Sequence, residues 1–174
     1  LPREVSALCP AAVFIQSNPA RETAAFEAIV DALSSFSPAI EIAELGRCHI
    51  DLTGLARHDL TVEDSLARLL RLISPVLRPR AGAGPGKFVS WVAARQAAPG
   101  TSRIIPAGNA ARLLAKVPSS WLPCPPAMLR SLDLLGLRAL GDIAKLPASA
   151  MQARFGPLGR RAWELSRGID EEKV

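Results

Sequence analysis

Two metal ions set about 4 Å apart for phosphoryl transfer need carboxylates that converge on both. The acids nearest to such an arrangement are Glu44 and Asp51, with Asp31 further back, and Gly46-Arg47 stands between the first two. Glycine offers no ligand. An arginine within about 4 Å of a cation opposes it by roughly 1 to 4 kcal/mol per unit of ion charge, depending on the local dielectric. Asp51 lies four residues past Arg47, on the same strand face but about 13 Å further along at the usual rise. These residues predict no working metal site.

The other polar candidates are single. His49 falls in a strand pattern, where a lone histidine packs or hydrogen-bonds more often than it catalyses. His58-Asp59 has no third partner for a nucleophile or a metal. Cys9, Cys48 and Cys124 are odd in number and far apart, so they form neither a disulfide framework nor a zinc knuckle and fit a reducing cytoplasm. The run from Gly82 to Lys87 suggests a phosphate-cradling loop, but that pattern needs a glycine where Ala81 stands and a hydroxyl where Phe88 stands. Its glycines are better read as a strand end and a tight turn feeding a helix.

An α+β frame must carry these residues. Ile40 and Ile42 alternate with Glu41 and Ala43, which predicts a strand with one buried face, and a second strand follows from Cys48 to Leu52. Gly46-Arg47 then makes a tight hairpin turn whose first residue takes positive φ. Asn18-Pro19 starts a helix as N-cap and first helical residue, and Phe26, Ile29, Val30 and Leu33 form its apolar stripe. Thr61 and Asp64 approximate a capping box ahead of Leu66, Leu69, Leu70 and Ile73. A third helix is predicted over 86–97, then a short extended segment at Arg103 to Pro106. Beyond it Met128, Leu129, Leu132 and Leu135 have helical spacing, Gly136 is a left-handed stop, and a last helix over 158–167 buries Trp163.

The wording of these segments resembles Y-family translesion DNA polymerases. Ser37 to Gly54 is similar to the family's palm hairpin, which reads roughly Ser-Pro-x-Val-Glu-x-x-Ser-Ile-Asp-Glu-Ala-Tyr-Leu-Asp-Leu-Thr-Gly; its catalytic Asp-Glu pair falls on Gly46 and Arg47, and its tyrosine on His49. Arg80 to Arg95 resembles a strand-to-helix segment with two lysines. The first is kept as Lys87; the second, which the resemblance directs at the incoming triphosphate, is matched by Trp91. Indole cannot replace an ammonium on phosphate. Leu137 to Pro147 resembles the Leu-Gly-Ile-x-Thr-Ile-Gly-Asp-Leu-Ala-x-Leu-Pro run of the family's thumb. The thumb's Gly-x-Gly turn, whose N–H groups meet duplex phosphates, corresponds to Cys124-Pro125-Pro126, and proline has no N–H to give.

The resemblance implies a truncated ferredoxin-like palm over 1–106 and a small helical, helix-hairpin-helix-like thumb over 107–174. Cys9 to Ile15 resembles an internal palm segment, so the chain is expected to begin mid-protein, with the family's first palm strand and most of its fingers upstream. The family's little finger would follow Val174. A net charge of +5, mostly arginine, favours an anionic partner. DNA is that partner by resemblance. Lys87, Arg130, Arg138 and Arg160, with Arg154 and Arg161, are the candidate phosphate contacts, although such charges are usually just solvated. Near-half hydrophobic content predicts a folded protein, and no stretch approaches the roughly 20 apolar residues of a membrane helix. The implied function is a catalytically degenerate, ImuB-like adapter of DNA repair and SOS mutagenesis, with no cofactor, linking a sliding clamp to a separate error-prone polymerase. The alternatives are an active translesion polymerase with relocated magnesium ligands, or a helical DNA-binding module alone.

Overall fold

The computed structural model describes residues 8–53 and 60–174. His58 and Asp59 lie outside the described residues. The first helix, α1 (Pro19–Ser34), begins as its sequence dictates, with Asn18 Oδ1 accepting from the Arg21 N–H at 3.1 Å. Its stripe is covered unevenly. Leu33 is buried, and Ile29 packs beside it at the edge of the cluster.

A hairpin follows, β1 (Ile40–Glu44) antiparallel to β2 (Arg47–Ile50). Ile40 faces Ile50 and Ile42 faces Cys48, and then a bulge at Ala43 brings Glu44 opposite Arg47. The turn is therefore Leu45-Gly46, with Gly46 at φ 83° as its second residue rather than its first. Arg47 is the first residue of β2. The expected buried face is also incomplete: Ile40 packs on the small core, whereas Ile42, nearer the turn, stays 55% exposed.

The second amphipathic helix, α2 (Val62–Arg71), is capped by Thr61, whose hydroxyl accepts from the Asp64 N–H at 3.1 Å and donates to Asp64 Oδ2 at 2.8 Å. It buries Leu66 and Leu69 against Leu33 of α1. A short strand β3 (Ala81–Ala83) pairs in parallel with β4 (Ser102–Ile104), and the crossover between them is α3 (Lys87–Gln96). Gly82 lets α3 lie directly on β3, because a Cβ there would sit 2.2 Å from Ser90 O and Ala94 N. The glycines before Lys87 do serve as strand end and turn, with Gly86 at φ 83° immediately before the helix.

The rest is helical: α4 (Ala110–Leu114), α5 (Pro126–Leu134), α6 (Leu140–Ala144) and α7 (Ala148–Ser166). Gly136, at φ 76°, ends α5 as expected. The Leu137 N–H donates to Leu132 O at 2.9 Å and the Gly136 N–H to Asp133 O at 2.9 Å, the paired bonds of a Schellman motif. α7 starts ten residues before the helix predicted at 158 and breaks at Gly156 (φ 64°, ψ −148°) just before Pro157. The segment after that break is the predicted one. Trp163 is half-buried there, its indole N–H donating to Leu146 O at 2.7 Å.

Two clusters of buried residues result. The smaller joins Leu33, Leu66 and Leu69. The larger begins at Phe88, Val89, Val92 and Ala93 of α3 and runs through Ile105, Leu114, Leu132, Leu140, Ile143 and Leu165, so it crosses residue 107 without a gap. α3 is thus the central beam: β3 covers one face and the helical region the other.

Candidate functional site

Sequence spacing on α3 decides much of what surrounds the hairpin turn. Trp91 and Arg95 are one helical turn apart, and the Arg95 guanidinium lies 5.4 Å from the Trp91 ring centroid. The same guanidinium is 4.4 Å from the centroid of Trp121, and the two indoles meet edge to face at 5.7 Å. From the hairpin, Arg47 adds a second cation 5.6 Å from the Trp91 centroid. Phe88 completes the row, 5.9 Å from Trp91. Arginine and indole thus alternate from the β-turn, across α3, to the segment before α5.

This ladder joins the two positions that the sequence treats as separate losses. Gly46 and Arg47 stand where an acidic pair was expected, Trp91 stands where a lysine was expected, and Arg47 and Trp91 are in contact. Each such cation–π pair contributes roughly 0.5 to 2 kcal/mol, more as it is desolvated. Arg47 Nε is 3.3 Å from Glu44 Oε1, close enough for an ion pair but too poorly aligned for a hydrogen bond, so this buried nitrogen has no hydrogen-bond partner.

Nearby acids are committed or distant. Glu41 Oε2 accepts from Lys87 Nζ at 2.5 Å, and that lysine is only 15% exposed. Lys87 is held as an internal ion pair. Asp51 accepts from the Thr53 N–H at 2.8 Å and the Thr53 hydroxyl at 2.7 Å, which hold its carboxyl below the usual range. Burial, together with Arg47 and Lys87, pushes His49 below the usual histidine value, so it is neutral at pH 7. Burial also raises the thiols of Cys48 and Cys124, which leaves both protonated and weakly nucleophilic. Among the described residues no three of His, Cys, Asp and Glu come together as metal ligands.

The arginines nominated for phosphate differ in their freedom. Arg130 and Arg154 are exposed. Arg138 is 78% exposed and pairs with Asp133 at 3.1 Å, and Arg160 pairs with Glu164 at 2.9 Å. Arg161 is bound to Asp170 and Glu172, which follow α7. At Cys124-Pro125-Pro126 the chain enters α5 with no side-chain cap. Sequence reasoning missed Arg95, Trp121 and Asp170. The four-residue spacing of Trp91 and Arg95 on a predicted helix was a readable signal for the first; nothing local marks the other two.

The impB/mucB/samB family model matches residues 2–95, over half of the chain. The chain belongs to that family. Its relatives extend the match into the helical region. The DNA polymerase IV of Caulobacter vibrioides is 35% identical over 171 residues, 96% of this chain and 42% of that protein. The DNA polymerase IV of Dehalococcoides mccartyi strain CBDB1 is 28% identical over 96% of this chain and 44% of its own length. The chain therefore spans less than half the length of these two relatives. Among solved structures, a Y-family DNA polymerase chimera superposes with a TM-score of 0.80 at 17% identity, covering 99% of this chain and 52% of that one. DinB from Sulfolobus solfataricus gives 0.79 at 17% identity, over 99% of this chain and 52% of its own. At that identity the likeness establishes the fold, an α+β Y-family polymerase fragment. For this family member no helix among the described residues is long and apolar enough to cross a membrane.

Proposed function

We propose that this family member is a non-catalytic, Y-family polymerase-like component of DNA repair and damage-induced mutagenesis. It acts as a DNA-binding scaffold or adapter for a separate translesion polymerase, in the manner of ImuB-like proteins. The observation that carries this reading is the Arg47–Trp91 contact: the hairpin turn presents a guanidinium stacked on indole, and the nearest acids, Glu41 and Glu44, are paired with Lys87 and Arg47. A cation brought there meets positive charge without converging carboxylates.

On this reading residues 1–106 are the palm and 107–174 the thumb, and the protein works in the cytoplasm without a cofactor. DNA is held by Arg130, Arg138 and Arg160, with Lys87 positioned by Glu41 rather than turned to phosphate. A sliding clamp and an error-prone polymerase are the protein partners. Primer extension with the full-length protein tests this. The expected result is no template-directed incorporation with magnesium or manganese. Incorporation that vanishes on mutating the protein's own carboxylates refutes the reading.

A second reading, an active translesion polymerase with relocated magnesium ligands, is favoured by the printed name of its relatives, DNA polymerase IV. It requires acids brought to the turn from residues other than those described here. The same primer-extension assay separates the two.

A further inference from the structure

Asp170 follows Gly168 in the tail after α7, yet its side chain is only 1% exposed. Its Oδ2 accepts from the Phe88 N–H at 2.8 Å, one of the donors left open at the start of α3. Its Oδ1 accepts from Arg161 Nη2 and, at 3.4 Å, from the Glu172 N–H. Arg161 also reaches Glu172 Oε1 at 3.1 Å. The β3–α3 turn is shaped around this side chain, since a Cβ on Gly86 would lie 2.5 Å from Asp170 Cβ and 2.7 Å from Asp170 O. Residues 170–174 line the same broad groove as β2.

We propose that Asp170 is an internal latch: its carboxylate closes the N-terminus of α3 and, through Arg161, ties α7 and the tail behind it to the β3–α3 turn. A helix N-terminus with a glycine-rich approach is a ready anion site, and here the chain fills it with its own carboxylate. The latch sets the course of the segment after α7 and withdraws the Phe88 N–H from any anion in solution. Buried charge-assisted hydrogen bonds of this kind hold geometry because breaking one strands the other partner. Burial alone would raise this carboxyl, but the Phe88 N–H and Arg161 outweigh it and hold it below the ordinary range, so the latch is closed at neutral pH.

Amide hydrogen exchange on the full chain tests it with three variants. Asp170→Ala is expected to speed exchange at the Phe88 amide and over residues 171–174 by about tenfold or more, the loss of a hydrogen bond to a charged group. The Leu132 and Ile143 amides should stay protected. Asp170→Asn keeps an acceptor and should give a smaller rise. Gly86→Ala retains the carboxylate but brings a methyl against Asp170 and strains a backbone held at φ 83°, and should also release residues 171–174. Unchanged exchange in Asp170→Ala, a tail still closed in Gly86→Ala, or core amides that rise in step with the tail would each overturn the latch.

Discussion

The hairpin corner and the helical core meet at the two faces of α3, and they are held by different physics. On the core side, Leu132, Leu140, Ile143 and Leu165 are essentially removed from water and interlock with Val89 and Val92. On the hairpin side, burial is sparse, Ile42 and Leu45 are exposed near the turn, and position is set by ion pairs and an arginine–indole ladder. A close-packed face tolerates little change in volume, whereas the stretch around Ile42 and Leu45, open to water, tolerates new side chains. The contrast teaches where this fold can change side chains without losing its structure. Gly46 sits on that open stretch, and Arg47 and Trp91 join it to the core.

Breaking the core side should therefore cost most. Leu132→Ala is expected to destabilise by about 2 to 5 kcal/mol in chemical denaturation, the range for truncating a buried leucine. Ile42→Ala, on the hairpin side, should stay within about 0.5 kcal/mol. Equal losses at the two sites would erase the comparison.

The contact between β3 and α3 offers the next largest effect. A methyl at Gly82 meets backbone atoms of Ser90 and Ala94, which cannot rotate away. Gly82→Ala should cost about 1 to 3 kcal/mol or more by overpacking, seen as a lowered melting temperature. A neutral result would mean that strand and helix can slide apart freely.

Smaller still is the ladder. A double-mutant cycle of Arg47→Ala and Trp91→Ala should return a coupling of about 0.5 to 1 kcal/mol, as half-exposed cation–π pairs do. Additive losses would show that the two positions ignore one another.

The weakest expected signal is a pH effect at His49. Its surroundings include Arg47, Lys87, Glu41 and Asp170, and its folded value is lowered, so the unfolded chain binds the proton more tightly. Stability should decline as pH falls below the unfolded histidine value of about 6.5 and level off below the folded one. His49→Gln should flatten that decline in denaturant titrations between pH 7 and 5. An unaltered slope would assign it elsewhere.

Local chemistry made much of the fold readable. Asn18-Pro19 and Thr61 with Asp64 are short-range capping signals, Gly136 is a short-range stop, and each acts as its residue type dictates. The hairpin was legible, but its turn was displaced by one residue because the bulge at Ala43 is set by pairing across the ladder rather than by the dipeptide itself. That a glycine and an arginine stand at 46 and 47 was visible at once. What surrounds them was not, because Trp91 and Trp121 are thirty residues apart and meet only through the core beneath them. Asp170 was equally hidden: its partners, Phe88 N–H and Arg161, lie on two different helices, 82 and 9 residues away, and no spacing in the chain announces that.

The most direct test watches the Trp91 indole N–H by NMR while manganese and a nucleotide triphosphate are added to the full-length protein. A guanidinium stacked on that ring predicts no selective paramagnetic broadening of the indole or the Arg47 side-chain resonances. Broadening confined to those groups, and abolished by chelation, would contradict it.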